Sequence, residues 1–292
     1  MGLEIPRSAA LIVTSLVLVA CQGGGSTGSG SAPSPASASP PGPTAAPSTS
    51  TTGPSPAGAG WTLVALGDSE TTGSGDPSGQ GWVAYYADLI RAGQSREVTV
   101  TNLAANGTTS DQLLGSIQSN EQVREEIAAA DIVVLGIGGA DVNAGDDALA
   151  AGSCEGTTCY DPAIEAYAAN IDDIAAAIMM LRAGKPTVLR AITMPNVLTG
   201  AEDVIPPFLS EIATEVGVHQ ARGFNAATCG AMVAHGGACI DVLAAINGPA
   251  GSDDGYAAGL LNLEDCCYPN ERGHRLIAEL LYDTGLAPLV AS

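Results

Sequence analysis

The stretch Thr62-Leu63-Val64-Ala65-Leu66-Gly67-Asp68-Ser69 places a carboxylate and a hydroxyl directly after an apolar run. A short apolar run that ends in glycine is typical of a buried strand. A serine just past the end of a strand can be presented as a nucleophile with its backbone N–H exposed. Because Gly-Asp-Ser is a short motif, a turn in which Ser69 caps a helix is the alternative.

Further apolar runs of strand length follow, and longer helical stretches separate them. The predicted strands are 62–66, 98–103, 132–137, 187–192 and 238–242. The predicted helices are 82–92, 110–116, 121–130, 162–183, 208–224 and 273–283. This alternation predicts an α/β fold with a five-stranded parallel sheet covered by helices. Two long insertions, 143–160 and 244–264, interrupt it. In such sheets, ligands bind at the carboxyl ends of the strands.

The composition limits the possible partners. The chain has 292 residues, a formal net charge of −21 and only 14% charged side chains. An acidic surface repels phosphate backbones, so a nucleic-acid binder is excluded. Residues 61–292 are enough for one domain with its own core. We expect this domain to be a monomer that carries no cofactor.

The N-terminus has the features of an export signal. Arg7 precedes an uncharged stretch, 8–20, whose apolar run is too short to span a membrane. The stretch ends in Leu18-Val19-Ala20-Cys21, which resembles the bacterial lipobox. The resemblance implies that residues 1–20 are a lipoprotein signal peptide and that Cys21 is lipidated, so the protein would be anchored in the bacterial cell envelope outside the cytoplasm. An ordinary signal peptide followed by an incidental cysteine is the alternative.

Residues 21–60 are predicted to be a tether. From Gly23 to Gly60 the chain contains only Gly, Ser, Thr, Ala and Pro. Such a segment has no side chain large enough to offset the entropy of ordering, so we expect it to be disordered. It would hold the domain 61–292 away from the membrane.

Six further cysteines fit an exported protein, in which disulfides persist. They are Cys154, Cys159, Cys229, Cys239, Cys266 and Cys267. Six cysteines allow 15 pairings, and local spacing favours the first two as one pair and the next two as another. The last two are either bridged to each other or linked elsewhere. Because no C-x-x-C motif or nearby histidine accompanies the pairs, we expect no metal site.

Three more motifs lie at predicted strand ends or near the C-terminus. The second predicted strand runs into Asn102-Leu103-Ala104-Ala105-Asn106-Gly107, and the third into Gly136-Ile137-Gly138-Gly139-Ala140-Asp141. The last motif is Asp265-Cys266-Cys267-Tyr268-Pro269-Asn270-Glu271-Arg272-Gly273-His274.

In order and spacing, these motifs and Gly-Asp-Ser resemble the blocks of the SGNH, or GDSL, hydrolase superfamily over nearly all of residues 61–292. The resemblance implies a flavodoxin-like three-layer α/β/α sandwich that hydrolyses acyl esters of lipids, sugars or small acids. It implies that Ser69 is the nucleophile, that Ser69 and Gly107 contribute N–H groups to an oxyanion hole, and that Asp265 is the acid beside the base.

Two positions depart from the family pattern. Ala140 stands where the family has an asparagine of the oxyanion hole, and Tyr268 stands where it has the histidine base. A phenol is almost entirely protonated at neutral pH and accepts a proton poorly. A site that lacks one such group can retain weak activity, but efficient catalysis needs a substitute base.

Few residues could substitute for these groups. His274 follows the last motif, where a histidine in the family is commonly structural, and His219 and His235 have no motif support. Asn143 could move an amide towards the position that Ala140 leaves, although a loop asparagine that forms a turn is the alternative.

Other polar and aromatic groups have simpler interpretations. Asp146-Asp147 and Asp253-Asp254 could bind Ca²⁺, but neither fits the EF-hand spacing, and acidic loops are usually solvated. Trp82, Tyr85 and Tyr86 have the helical spacing of residues that cover a sheet, so they are not assigned to the site.

Two functions from different classes follow. The first is an extracytoplasmic serine ester hydrolase, with acyl transfer or deacetylation on an envelope polysaccharide as a variant. The second is a catalytically silent domain that binds acylated glycans or lipids in the same cleft.

Overall fold

The computed structural model describes residues 60–264 and 267–290. The predicted signal peptide, the predicted lipidation site Cys21 and the predicted tether lie outside the described residues. Asp265 and Cys266, two of the predicted site residues, also lie outside them.

Five parallel strands form the main sheet, in the order β2-β1-β3-β4-β5. They are β1 (Trp61–Gly67), β2 (Val98–Asn102), β3 (Ile132–Gly136), β4 (Val188–Ile192) and β5 (Ala238–Ile240). This is the flavodoxin-like strand order, so the predicted fold class is confirmed. The order reverses between β1 and β3, and ligands bind at that switch point in this class of sheet.

Helices fill most of the connections between the strands. They are α1 (Ser69–Thr72), α2 (Gly81–Gln94), α3 (Ser110–Ser119), α4 (Glu121–Ala129), α5 (Asn143–Ala150), α6 (Asp161–Leu181), α7 (Pro207–Ser210), α8 (Ala213–Ala234), α9 (Val242–Asn247) and α10 (Glu271–Asp283). In the described part of the chain, no helix combines the length and apolar character needed to cross a bilayer.

The alternation of side chains along β1 explains the three layers. Leu63 and Ala65 face the core shared with α2, α9 and α10, whereas Val64 and Leu66 face the core shared with α3, α4, α6 and α8. Both sets are fully buried, as expected for a central parallel strand. The aromatic residues of α2 belong to the first core, where Trp82 has no exposed surface, which agrees with the sheet-covering role predicted for them.

Side-chain caps fix where helices begin near the strand ends. Thr109 and Gln112 form a reciprocal capping box at the start of α3, and Asn120 accepts hydrogen bonds from two amides at the start of α4. Asn270 accepts from the Gly273 amide at 3.1 Å and so starts α10. Each cap satisfies amides that have no partner within the helix.

The prediction for the helix at 208–224 was wrong at both ends. The short helix α7 begins at Pro207, after the capping residue Pro206, and stops at Ser210. Helix α8 begins at Ala213 and runs ten residues past Phe224. Polar residues that usually weaken a helix are satisfied here by tertiary contacts. Asn225 bonds both to the amide and to the carbonyl of Met194, at 2.7 and 2.9 Å. Sequence reasoning could not anticipate these contacts.

Both insertions contain short regular elements, and a disulfide closes part of the first. The first contains α5 and a 3₁₀ turn, Gly156–Cys159, and its disulfide joins Cys154 to Cys159. A second disulfide, Cys229–Cys239, ties α8 to β5. These are the two pairs that the local spacing favours. Cys267 is also disulfide-bonded.

Candidate active site

The predicted nucleophile lies at the end of the central strand. β1 ends at Gly67, and Ser69 is the first residue of α1. The alternative in which Ser69 caps this helix is wrong, because Asp68 is the cap and accepts from the Glu70 amide at 3.2 Å. Gly67 has a positive φ and lies so close to the Gly136 carbonyl that any Cβ would collide with it. The sharp turn after β1 therefore requires glycine.

Asp68 also holds the loop that follows β3. Its Oδ2 accepts from the amides of Gly138 and Gly139 at 3.1 and 2.9 Å. Burial raises the pKa of Asp68 to about 6, against the lowering effect of its three backbone hydrogen bonds. The carboxyl group is therefore a positioning group that fixes the Ala140 loop beside Ser69.

The loop that carries Gly107 is held on two sides. The Thr72 hydroxyl donates to Asn106 Oδ1 at 2.8 Å, which ties the loop to α1. On the other side, Asp141 accepts from the amide and the hydroxyl of Ser110 at the start of α3. Gly107 itself has φ +75°, a conformation that glycine adopts without cost. The two loops predicted to line the oxyanion hole are thus fastened to each other.

Tyr268, at the position where the family resemblance predicts a histidine, lines the cleft. β7 (Tyr268–Pro269) pairs antiparallel with β6 (Leu261–Asn262). Behind it, Gly75 has φ +87°, and a side chain there would collide with the Tyr268 Cβ and the Pro269 carbonyl. Asn270 donates to the carbonyls of Gly259 and Leu261. Residues 268–270 are therefore held in place by backbone pairing and by the hydrogen bonds of Asn270.

These elements border one cleft of about 370 Å³. It brings together the predicted nucleophile Ser69, the predicted oxyanion residues Gly107 and Ala140, and Tyr268. The remaining lining comes from the Met194–Leu198 segment after β4 and from α5 and α8. Such a cleft at the switch point of the sheet has the position and size of a small-molecule site.

None of the chain's three histidines lines this cleft. His274 is fully buried: its Nδ1 accepts from the Trp82 amide at 3.2 Å, and its Nε2–H donates to the Ser74 carbonyl at 2.9 Å. Burial lowers its pKa, so the ring is neutral and structural. His219 and His235 each pair with an aspartate of α6 at 2.9 Å.

Glu70 is a residue of this cleft that the sequence analysis missed. It follows Ser69 in α1 and lines both the cleft and a small adjoining void between the ends of β3 and β4. Its Oε1 is buried and has no hydrogen-bond partner in the described part of the chain. Burial, and secondarily the nearby Asp68, raise the pKa of Glu70 to about 8. An acidic residue directly after Gly-Asp-Ser was the available signal.

The α5 side of the cleft carries two polar side chains. Asn143, at the start of α5, lines it, as does Asp146, which accepts from the Tyr160 hydroxyl at 2.6 Å.

Asp254, of the other acidic pair, accepts from the backbone amides of Tyr256 and Ala257. Within residues 60–264 and 267–290, no group of three or more His, Cys, Asp or Glu side chains could hold a metal ion.

Comparisons with known proteins agree with this geometry. The sequence profile of the GDSL-like lipase/acylhydrolase family matches residues 65–276. Among solved structures, the lipase Lip_vut3 from a goat rumen metagenome aligns with a TM-score of 0.65 and 19% identity over 79% of this chain and 100% of that one. The extracellular lipase from Streptomyces rimosus aligns with a TM-score of 0.55 and 19% identity over 77% of this chain and 100% of that one. At these identities the likeness concerns the fold.

A curated relative matches over a shorter region. The uncharacterized protein YpmR of Bacillus subtilis (strain 168) is 43% identical over 81 residues, which are 27% of this chain and 31% of that protein. The chain therefore spans less than a third of the length of this relative in the alignment.

Proposed function

Because the chain belongs to the GDSL-like lipase/acylhydrolase family, we propose that it is a serine ester hydrolase whose nucleophile is Ser69. The observation that carries the proposal is the cleft that Ser69 shares with Gly107, Ala140 and Tyr268, the positions that match the family blocks. Ser69 Oγ would bond to the acyl carbon, and the alcohol would leave with a proton. Water would then release the acid and restore the serine hydroxyl.

The arrangement supports binding of the oxyanion better than transfer of the proton. The amides of Ser69 and Gly107 belong to loops that Asp68, Thr72 and Asp141 hold in place. Donors fixed in advance stabilise the charge that develops on the carbonyl oxygen. No imidazole lines the described cleft to accept the serine proton, so we expect slow turnover in the native protein.

We further propose that this domain acts outside the cytoplasm as a monomer, without a cofactor, on an acyl ester. The support is the lipobox-like sequence at Cys21 and the low-complexity segment that follows. The experiment is membrane fractionation of a bacterium that expresses the full-length chain or its Cys21→Ser variant. Membrane retention of the native chain and release of the variant are expected. Equal distribution of the two proteins would contradict the anchor.

Hydrolysis of p-nitrophenyl acetate and butyrate by the full-length protein tests the catalytic part of the proposal. Turnover above background is expected, and it should disappear in Ser69→Ala, which keeps the fold because a small polar side chain is replaced by a smaller one. Absence of hydrolysis over a panel of acyl esters, or undiminished hydrolysis by Ser69→Ala, would contradict it.

A second function is a domain that binds acyl esters without cleaving them. It is favoured by the positions of the three histidines, all of which are engaged away from the cleft, and by the lack of a side-chain donor at Ala140. Saturable binding of an acylated oligosaccharide without release of acid would support this function. Hydrolysis that depends on Ser69 would exclude it.

A further inference from the structure

Glu70 lines the cleft, and the proposed mechanism assigns it no task. It is the second residue of α1, and its side chain lies between the ends of β3 and β4, near Gly139 and Met194. The buried Oε1 has no partner among the described residues. A structural carboxylate at a helix start normally accepts hydrogen bonds, as Asp68 does one residue earlier.

The environment of Glu70 favours its neutral form. An ionised carboxylate without hydrogen bonds is costly to bury, and such a group takes up a proton instead. The titratable side chains that line the cleft with Glu70 are two carboxyl groups, Asp68 beside it and Asp146 on α5, and the phenol of Tyr268, and none of them is a cation. The segment after β4 presents Thr193 and Met194, which carry no charge.

A neutral carboxylic acid has an O–H that can donate a hydrogen bond, which a carboxylate lacks. The cleft needs such a donor, because Ala140 stands where the family pattern places an amide of the oxyanion hole. Glu70 and Ala140 line the same cleft as Ser69. Each donor aimed at the developing oxyanion contributes a large factor to the rate. A group that replaces the missing side-chain amide would therefore raise the rate above that supported by the Ser69 and Gly107 amides alone.

We propose that Glu70, as a neutral carboxylic acid, is a catalytic residue that donates a hydrogen bond to the oxyanion in place of the missing side-chain amide. This inference rests on the proposed ester hydrolase function. The proton remains on Glu70 during the step: the bond that forms joins Ser69 Oγ to the acyl carbon, and the carbonyl π electrons move to the oxygen that the donors hold. A role as base for Ser69 would need the ionised carboxylate, which the buried and unpartnered Oε1 disfavours.

The test compares full-length native protein with Glu70→Gln and Glu70→Leu from pH 6 to pH 10. Glutamine keeps a neutral donor of the same length, and leucine keeps the approximate volume without a donor. For p-nitrophenyl butyrate we expect kcat/KM of the native protein to fall as pH rises through about 8, because the carboxylate loses the donor and repels the oxyanion. Glu70→Gln should keep its rate through this range, and Glu70→Leu should be slower by about 10²-fold at pH 7.

The opposite pH dependence would overturn the inference. If the native rate rises through about pH 8 and Glu70→Gln is inactive, Glu70 is a base. If all three proteins have the same pH profile, the residue is structural. Thermal unfolding of each variant shows whether a loss of rate follows from a loss of fold.

A second readout needs no turnover and therefore separates this inference from the proposed function. An alkylboronic acid forms a tetrahedral adduct with a serine hydroxyl, so its affinity reports on the hole. We expect native protein and Glu70→Gln to bind butylboronic acid similarly at pH 7, and Glu70→Leu to bind at least tenfold more weakly. Equal affinities in all three would overturn the role of Glu70, even if the esters are hydrolysed. Failure of every ester, together with the expected order of boronate affinities, would contradict the hydrolase function alone.

Discussion

The two ends of the cleft are both held by hydrogen bonds, but they differ in the reactive group that they present. At the β1 end, Asp68 joins the start of α1 to the loop after β3, and Ser69 stands between them. At the C-terminal end, Asn270 starts α10 and His274 bridges to α2, so that frame is equally complete. The residue that lines the cleft at this end is Tyr268, at the position where the family resemblance predicts a histidine.

This difference indicates that the residues that hold the C-terminal segment in place are not the residues that would take part in the reaction. The polar groups that hold the last segment are Asn270 and His274, and neither faces the cleft as a proton acceptor. A substitution at Tyr268 can therefore change the chemistry without releasing the segment. The predictions below test this separation.

The largest effect is expected for Tyr268→His. An imidazole at this position would accept the proton of Ser69, and general-base catalysis contributes about 10²–10⁴-fold to rates. We expect kcat/KM for p-nitrophenyl butyrate to rise by about that factor, with a profile that rises through the pKa of a histidine. The double variant Tyr268→His/Ser69→Ala should lose the gain. A Tyr268→His protein that is folded and no faster than native would show that the cleft has lost more than its base.

A loss of stability should follow from His274→Ala. The variant leaves the buried Trp82 amide and the half-buried Ser74 carbonyl without partners, at about 1–3 kcal/mol for a buried group and less for a half-buried one. We expect the free energy of unfolding to fall by about 2–5 kcal/mol in urea titrations. A fall below 1 kcal/mol would contradict the framing role of His274.

A smaller effect concerns the pH dependence of stability. The pKa of Glu70 is raised from 4.5 to about 8, so the folded state holds this proton more tightly than the unfolded state. The stabilisation is full below about pH 4.5 and is lost as pH rises through about 8. The corresponding loss for Asp68 is complete near pH 6. We expect the melting temperature to fall between pH 6 and pH 8 in the native protein, and less so in Glu70→Gln.

The melting temperature of Glu70→Gln over the same pH range tests whether Glu70 is the group that causes the loss of stability. If native protein and Glu70→Gln lose stability equally between pH 6 and pH 8, another group causes the loss, and Glu70 is not the buried acid described above.

The smallest effect is expected for His219→Ala, a matched control for His274→Ala. The His219 side chain is 35% exposed and pairs with Asp161 at 2.9 Å on the surface. Surface ion pairs contribute about 0–1 kcal/mol. Unfolding free energy and kcat/KM should both stay near their native values. A large loss of activity would indicate that His219 reaches the cleft.

The strands and the order of the motifs could be predicted because they depend on local patterns. The apolar run 62–66 and the glycine after it fixed β1 and the turn to Ser69 within a residue. By contrast, the extension of α8 beyond Phe224 depends on tertiary hydrogen bonds of Asn225, which no local pattern encodes.

The role of Glu70 could not be predicted for a similar reason. In the sequence it is an acidic residue near the start of a helix, where a negative charge is usually favourable and solvated. Only the fold, which places Glu70 at the void between the ends of β3 and β4, shows that its carboxyl oxygen is buried and unpartnered. The positions of the histidines are also a tertiary property, since the sequence left His274 open as a substitute base.

The most direct test of the central claim is covalent labelling of Ser69. The full-length protein and Tyr268→His would be incubated with a p-nitrophenyl alkylphosphonate, and the modified residue identified by peptide mass spectrometry. We predict one phosphonyl group per chain, on Ser69, in both proteins, with faster labelling of Tyr268→His. Labelling at another residue, or none on Ser69 in either folded protein, would contradict the assignment of this cleft as a serine hydrolase site.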